Sequence, residues 1–280
     1  RRLIELLDRP GKKSAEDHWK FQRDTRNLLA EKIAPLMAKA LEKHPETKDL
    51  AAILARWNFH DEPELAAPTV FQAVYREFAF QVFKDELGDG LARVMLRNWY
   101  FWQERLQQLI LEGKSPWFDD LATKDQVEGI EELFHRAAGL IIPQLKAGLG
   151  DDPSKWVWGK AHTLDFVSPI RREGFGRDFL GGGSHPFAGS GETLHRGIYD
   201  FSNPFAATTT ASLRMVADLA DDDKVMAVLP GGVSGRLFHP HCKDQINDFI
   251  NGGKACWWFS DKAITEHAKT TLLLKPGSTL

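Results

Sequence analysis

Residues 211–260 read ASLRMVADLADDDKVMAVLPGGVSGRLFHPHCKDQINDFINGGKACWWFS, and the assembly of this block decides the fold. SLRMVADL and KVMAVLP carry apolar residues at strand spacing. The turn-forming run Asp221-Asp222-Asp223 separates them, which predicts a hairpin. The glycine-marked GGVSG turn follows, then HPHCKDQINDFIN, which predicts one helix over 239–251. KACWWFS predicts a further strand. After a turn near Asp261-Lys262, the run KTTLLLKPG predicts a last one. Antiparallel strands backed by helices give an α+β class.

Toward the N-terminus the period changes. Trp156 and Trp158 alternate and HTLDFVSPI predicts a strand, whereas RREGFGRDFLGGGSHPFAGSGETLH has no helical spacing and reads as a long glycine-rich loop. GIYDFSNPF predicts a short extended segment. Residues 1–150, in contrast, read as almost wholly helical. RRLIELLD is a short helix stopped by Pro10-Gly11, and Ser14 caps the next one with acids in its first turn. That helix is expected to run from Asp17 to His44 with a bend or restart at Pro35. Helices then follow over DLAAILARW, over 64–89 with aromatics at 71, 75, 78, 80 and 83, over 91–113, and over 125–150. The aromatic stripes are core-facing. The expected organisation is a helical region over 1–150 and a strand-rich region over 151–280, with one helix near 239–251, built as one composite domain.

Composition narrows the function. Hydrophobic residues make up 42% and charged residues 27% of the 280, values ordinary for a globular chain. A net charge of -3, with Lys and Arg spread among Asp and Glu, argues against nucleic acid as a partner. No apolar run reaches the roughly 18 residues a spanning helix needs. Cys242 and Cys256 are the two cysteines; their separation permits a bridge without predicting one.

Three places invite a chemical reading. His239, His241, Cys242 and Asp244 crowd six positions, yet their spacing matches neither H-x-x-x-H nor a zinc ribbon, and capping and turn hydrogen bonds are the plainer reading. GGVSGR surrounds Ser234 with glycines but has neither the Lys-Ser/Thr pair of a phosphate loop nor the spacing of a nucleophile elbow. Ser190 in GSGETLH would need His195 or His185 as its base and an orienting acid. Glu131/Glu132 and Asp151/Asp152 read as solvated charges. No complete catalytic constellation emerges from the residues alone.

The order W-G-K-x-H at Trp158–His162, then GSGETLH with Thr193, then ASLRMVADLAD, GGVSGRLFHPHCKDQ and LLLKP resembles the C-terminal part of the large subunit of the penicillin acylase family of N-terminal nucleophile hydrolases. The residues carrying the likeness are Trp158, Gly159, His162, Gly191, Thr193, Arg214, Asp218, Gly232, Ser234, Gly235, Pro240, His241, Asp244 and Gln245. RRLIELLD and the D-x-W-K-F-Q-R-D run extend it to the N-terminal helices. Val233, Leu194-His195, His239 and Cys242 depart from the family pattern, which bears on substrate more than on fold.

The resemblance implies the C-terminal portion of an αββα fold and hydrolysis of an N-acyl amide through an acyl-enzyme. In that chemistry an N-terminal nucleophile freed by autoproteolysis uses its own α-amine as base. Arg1 has neither hydroxyl nor thiol, so the nucleophile and the oxyanion asparagine are expected upstream, and no residue here is expected as a catalytic, cofactor or metal ligand. The implied partners are the remaining acylase chain or chains, carrying the small subunit and the nucleophile, and a small N-acyl amide. Calcium, where the intact enzyme holds it, is expected on upstream residues. Periplasmic or secreted location is a family expectation. A processed product and a fragment are both open readings, as is an interaction or scaffold module that keeps the fold without activity.

Overall fold

The computed structural model describes all residues except 169, 171, 276 and 278–280, and gives no side-chain account of residues 99, 100 and 178. The helices are α1 (Arg2–Leu7), α2 (Ala15–Phe21), α3 (Leu28–Glu42), α4 (Lys48–Ala55), α5 (Ala67–Leu96), α6 (Trp99–Glu112), α7 (Ile130–Leu149), α8 (Trp158–Ala161), α9 (Arg177–Leu180), α10 (Ile246–Asn251) and α11 (Asp261–His267). The strands are β1 (Thr163–Phe166), β2 (Gly183–Pro186), β3 (Gly197–Asp200), β4 (Asn203–Thr210), β5 (Arg214–Ala217), β6 (Val225–Val228) and β7 (Ala255–Trp257). The α+β class holds, with helices first and strands after. No helix among the described residues is long and apolar enough to cross a membrane. The chain forms two compact units, Arg1–Arg9 with Phe21–Ala211 and Pro10–Lys20 with Ser212–Leu280.

In the first unit, Leu29, Ile33, Met37 and Leu41 recur every fourth residue of α3 and are all buried. Such spacing places them on one stripe. The aromatic stripe of α5 does the same: Phe78 stacks on Phe134 of α7 at 4.2 Å between centroids, and Phe71 on Tyr75 at 5.6 Å. Pro68 opens α5, where a missing N–H costs nothing, and Gly88 interrupts it with φ 73°. The four-stranded sheet has the order β2-β1-β4-β3. It is mixed: β1 runs antiparallel to β2 but parallel to β4, through Leu164 and Ala207. The Tyr199 hydroxyl donates to Gln72 Oε1 at 2.9 Å and Arg76 Nε to Phe201 O at 2.6 Å, which fixes the sheet to α5.

Several expectations are corrected here. The helix expected over 17–44 breaks at 22–27, and Pro35 sits inside an unbroken α3. The polar run Gln22–Asn27 has no apolar residue at helical spacing; it turns at 22–23 and its residues 25–27 then pair with 59–61, Asn27 N donating to Phe59 O at 2.8 Å and Asp61 N to Thr25 O at 2.9 Å. Asn27 then caps α3, accepting from Ala30 N at 2.9 Å. The glycine-rich loop of 171–195 contains α9 and β2, whose register with β1 pairs Thr163 with Pro186 and Phe166 with Gly183. Its glycines masked a strand with no apolar alternation.

The second unit is built on the antiparallel sheet β5-β6-β7, as the hairpin reading requires. Asp223, in the expected turn, accepts from Phe259 N at 3.0 Å, Ser260 N at 2.9 Å and Ser260 Oγ at 2.6 Å. These bonds hold its carboxyl below the usual aspartate range. Ser260 in turn caps α11, so the turn expected at Asp261-Lys262 is a helix start. Residues 268–275 form no strand: an unalternating Leu272–Leu274 run does not by itself select a pairing face. The helix expected over 239–251 splits into a short 3-10 turn at Pro240–Cys242 and α10. Residues of α2 belong to this unit, where the Trp19 indole N–H donates to Gly252 O at 3.1 Å, 233 positions away in sequence.

Arg214 anchors the same unit. It is buried, donates from Nη1 to Phe249 O at 2.5 Å and lies 3.9 Å above the Phe249 ring. Arg214→Met keeps the stem but leaves that carbonyl without its charged donor, and is expected to destabilise the unit by about 2–3 kcal/mol. Exposed Arg236→Met should stay within about 0.5 kcal/mol. Urea unfolding followed by far-UV circular dichroism distinguishes the two, and equal midpoints for both variants would refute this role.

Candidate functional site

Of the first-unit residues that the sequence singled out, Trp158, His162, Ser190, Thr193 and His195 are buried together, while His185, Glu131, Glu132, Asp151 and Asp152 lie elsewhere. Trp158 is fully buried in α8, donates from its indole N–H to Gly189 O at 2.9 Å, and stacks on His162 at 4.5 Å between centroids. His162 Nδ1 lies 2.6 Å from Phe205 O, so that nitrogen carries the proton. Burial pushes the imidazole down to about 4, which keeps it neutral. Its ring is a packing plate with one directed hydrogen bond.

The GSGETLH segment folds into a tight turn. Ser190 N donates to Thr193 Oγ1 at 2.9 Å, Thr193 Oγ1 donates to His195 O at 2.7 Å, and Glu192 N donates to Ser190 Oγ at 3.2 Å. Gly189, with φ 81°, brings the chain so close to itself that a Cβ there would lie 1.8 Å from His195 O. Asp61 ties this turn to the helical layer: its carbonyl accepts from Gly189 N at 2.7 Å and its Oδ2 accepts from Asn27 Nδ2 at 3.0 Å. The Ser190 hydroxyl and Asn27 favour the charged carboxylate, but complete burial outweighs them and lifts Asp61 to about 7. Burial likewise raises Glu192.

A carboxyl poised near neutrality beside a serine hydroxyl has the chemistry of a base and nucleophile. Here both Ser190 and Asp61 are 0% exposed, so no substrate atom reaches them. His195 Nδ1 is engaged by Ala188 O at 3.0 Å, and His185 Nε2 by Gly182 O at 2.8 Å. The site is a fixed support. Asp61 was not legible as part of it, since the bond joining it to Gly189 spans more than a hundred residues, and Asn27 enters only through Asp61.

In the second unit the GGVSG turn and HPHCKDQ lock together. Ser234 N donates to His241 O at 2.9 Å, Gln245 N to Gly231 O at 2.9 Å, and Leu229 N to Gln245 Oε1 at 2.8 Å. A Cβ at Gly232 would lie 2.2 Å from His241 O, so only glycine admits this crossing. His239 Nδ1 accepts from His241 N at 3.1 Å, and His241 Nδ1 pairs with Asp244 Oδ2 at 2.7 Å. These are the capping and turn bonds of the plainer reading. Cys242 and Cys256 are separate free thiols. Among the described residues, the His/Cys/Asp/Glu group whose ligand atoms do gather is elsewhere, at His44, Glu46 and His135. His44 and Glu46, two positions apart, were its sequence signal.

The penicillin amidase family profile matches residues 1–266. Acyl-homoserine lactone acylase QuiP of Pseudomonas aeruginosa is 27% identical over 200 residues, covering 65% of this chain and 23% of that protein. Its namesake in Pseudomonas fluorescens strain Pf-5 is 24% identical over 286 residues, covering 95% of this chain and 34% of that protein. The chain thus spans about a quarter to about a third of the length of these relatives. A thermostable penicillin G acylase from Alcaligenes faecalis shares the fold, with a TM-score of 0.53 at 15% identity over 99% of this chain and 52% of that one. Matched by its profile over nearly its whole length, with the likeness-bearing residues set into the buried layer and the locked turn, the chain belongs to the penicillin amidase family.

Proposed function

We propose that the chain is the C-terminal part of the large subunit of an exported N-acyl amide hydrolase, and that acyl-homoserine lactones are the first substrate class to test. The family match over residues 1–266 carries this reading, and the names of the acyl-homoserine lactone acylases among its relatives favour the substrate class. In this reading an upstream N-terminal Ser, Thr or Cys attacks the amide carbonyl with its α-amine as base, an acyl-enzyme forms, and water releases the acid. The chain contributes support: the Asp61–Ser190 layer and the GGVSG–HPHCKDQ lock hold their elements rigid.

The test is hydrolysis by the full-length precursor of three substrates: a phenylacetyl amide, a long-chain acyl amide and an N-acyl homoserine lactone, followed by release of the free amine. Amine release from the lactone substrate is expected. Replacing the hydroxyl or thiol residue at the processing junction should abolish both self-cleavage and turnover. Absence of amine release from all three substrates would overturn the assignment and leave a scaffold that keeps the family fold without its reaction.

A further inference from the structure

His44, Glu46 and His135 lie in the first unit, away from the buried support. His44 follows the end of α3, and Pro45 fixes the backbone that turns toward Glu46. Thr47 pins this turn from beneath, its buried hydroxyl donating to Leu41 O at 2.7 Å. His135 comes from α7, which packs against α3. Its neighbours Leu133 and Phe134 are buried, which anchors the helix and holds the half-buried His135 at its surface. The two imidazoles stack nearly parallel, 3.5 Å between centroids and 16° apart, and His135 Nε2 lies 2.7 Å from Glu46 Oε1. One ligand atom from each of the three residues falls within 4.8 Å of the others.

We infer that His44, Glu46 and His135 form a binding site for a divalent transition metal of the zinc class, clamping the 43–47 turn to α7. Two imidazole nitrogens and one carboxylate oxygen are a donor set suited to zinc and its borderline neighbours, and unsuited to calcium or magnesium, which take oxygen. Around a tetrahedral zinc, ligand atoms about 2.1 Å from the metal stand roughly 3.4 Å apart, so the stacked rings must splay and turn toward the ion for both lone pairs to meet it. Lys43, next to His44 in the chain, is paired with Glu131, while Glu46 pairs with His135. The fourth position faces solvent, where water completes the shell.

The inference is independent of the acylase reading and is tested without an activity assay. Full-length protein purified without an affinity tag, stripped with chelator and titrated with zinc chloride in a calorimeter, should take up one more equivalent than His44→Ala/His135→Ala. Glu46→Gln should weaken that equivalent by about 10- to 100-fold, and circular dichroism should show both variants folded. His239→Ala/His241→Ala should retain it, which separates this site from the other histidine pair. Should the double alanine variant fail to fold, Glu46→Gln alone still reads the site. Identical zinc stoichiometry and affinity in wild type and Glu46→Gln, or no uptake by wild type at about millimolar zinc, would overturn the inference.

Discussion

Gly189→Ala is expected to destabilise the protein by at least about 4 kcal/mol, enough to empty the soluble fraction of a domain of ordinary stability. Two effects add. The residue holds φ 81°, a region that costs an L side chain about 1–2 kcal/mol. The new methyl would also stand 1.8 Å from His195 O and 2.7 Å from Thr193 Oγ1, and the first of these is backbone that cannot rotate aside. Relief requires opening the 189–195 turn, which would take with it the bonds to Trp158 and Asp61. Gly191→Ala, two residues on, meets nothing within 4 Å and should change stability by no more than about 1 kcal/mol in either direction. Soluble yield and urea midpoints measured side by side decide the matter; similar stability for the two variants would show that the turn is soft.

The second large effect is in the pH profile. Asp61 titrates near 3.8 when unfolded and at about 7 in place, so the folded state binds more protons between those values. Its contribution to stability is therefore full below about pH 4 and is lost as pH rises through 7, a swing on the order of 4 kcal/mol. His162 acts in the opposite sense. Its pKa falls from 6.5 to about 4 on folding, so the unfolded chain binds more protons in that window, and its contribution is lost as pH falls from 6.5 through 4, by about 3 kcal/mol. The two slopes oppose each other in the wild type. Asp61→Asn removes one of them and should uncover a stability that climbs with pH from 4 to 6.5. Glu192 is present in both proteins and cancels in the difference. Urea unfolding of both at pH 4.5, 5.5, 6.5 and 7.5 measures this; parallel curves would mean that Asp61 is ionised in the folded state.

The sequence was most legible where pattern and partner are close together. The β5–β6 hairpin and the aromatic stripe of α5 could be read from period and turn chemistry, because their stabilising contacts follow from spacing of two or of three to four. It was least legible where a short polar stretch takes its conformation from a remote segment. Gln22–Asn27 could have continued a helix, yet its residues 25–27 pair through the backbone with 59–61. Gly183–Pro186 has no strand propensity at all and becomes β2 through the open edge of β1. The same holds for the support layer. Ser190 and His195 look like a nucleophile and its base in sequence, while the hydroxyl lies by Asp61, far upstream, and the imidazole serves a carbonyl. Motif spacing does not encode burial.

The pairing of Trp19 with Gly252 has an implication for how the molecule is made. The second unit is discontinuous: its first segment, Pro10–Lys20, leaves the ribosome long before Ser212 and the residues beyond it, and the whole of Phe21–Ala211 is interposed. Left to close as a flexible loop, that interval would cost only about 2 kcal/mol more than a loop one eighth as long, since closure entropy grows logarithmically. Folding the interposed unit first consumes the slack in the chain. Synthesis order therefore favours completion of the first unit, with residues 10–20 left waiting until Gly252 and Lys254 emerge to receive them.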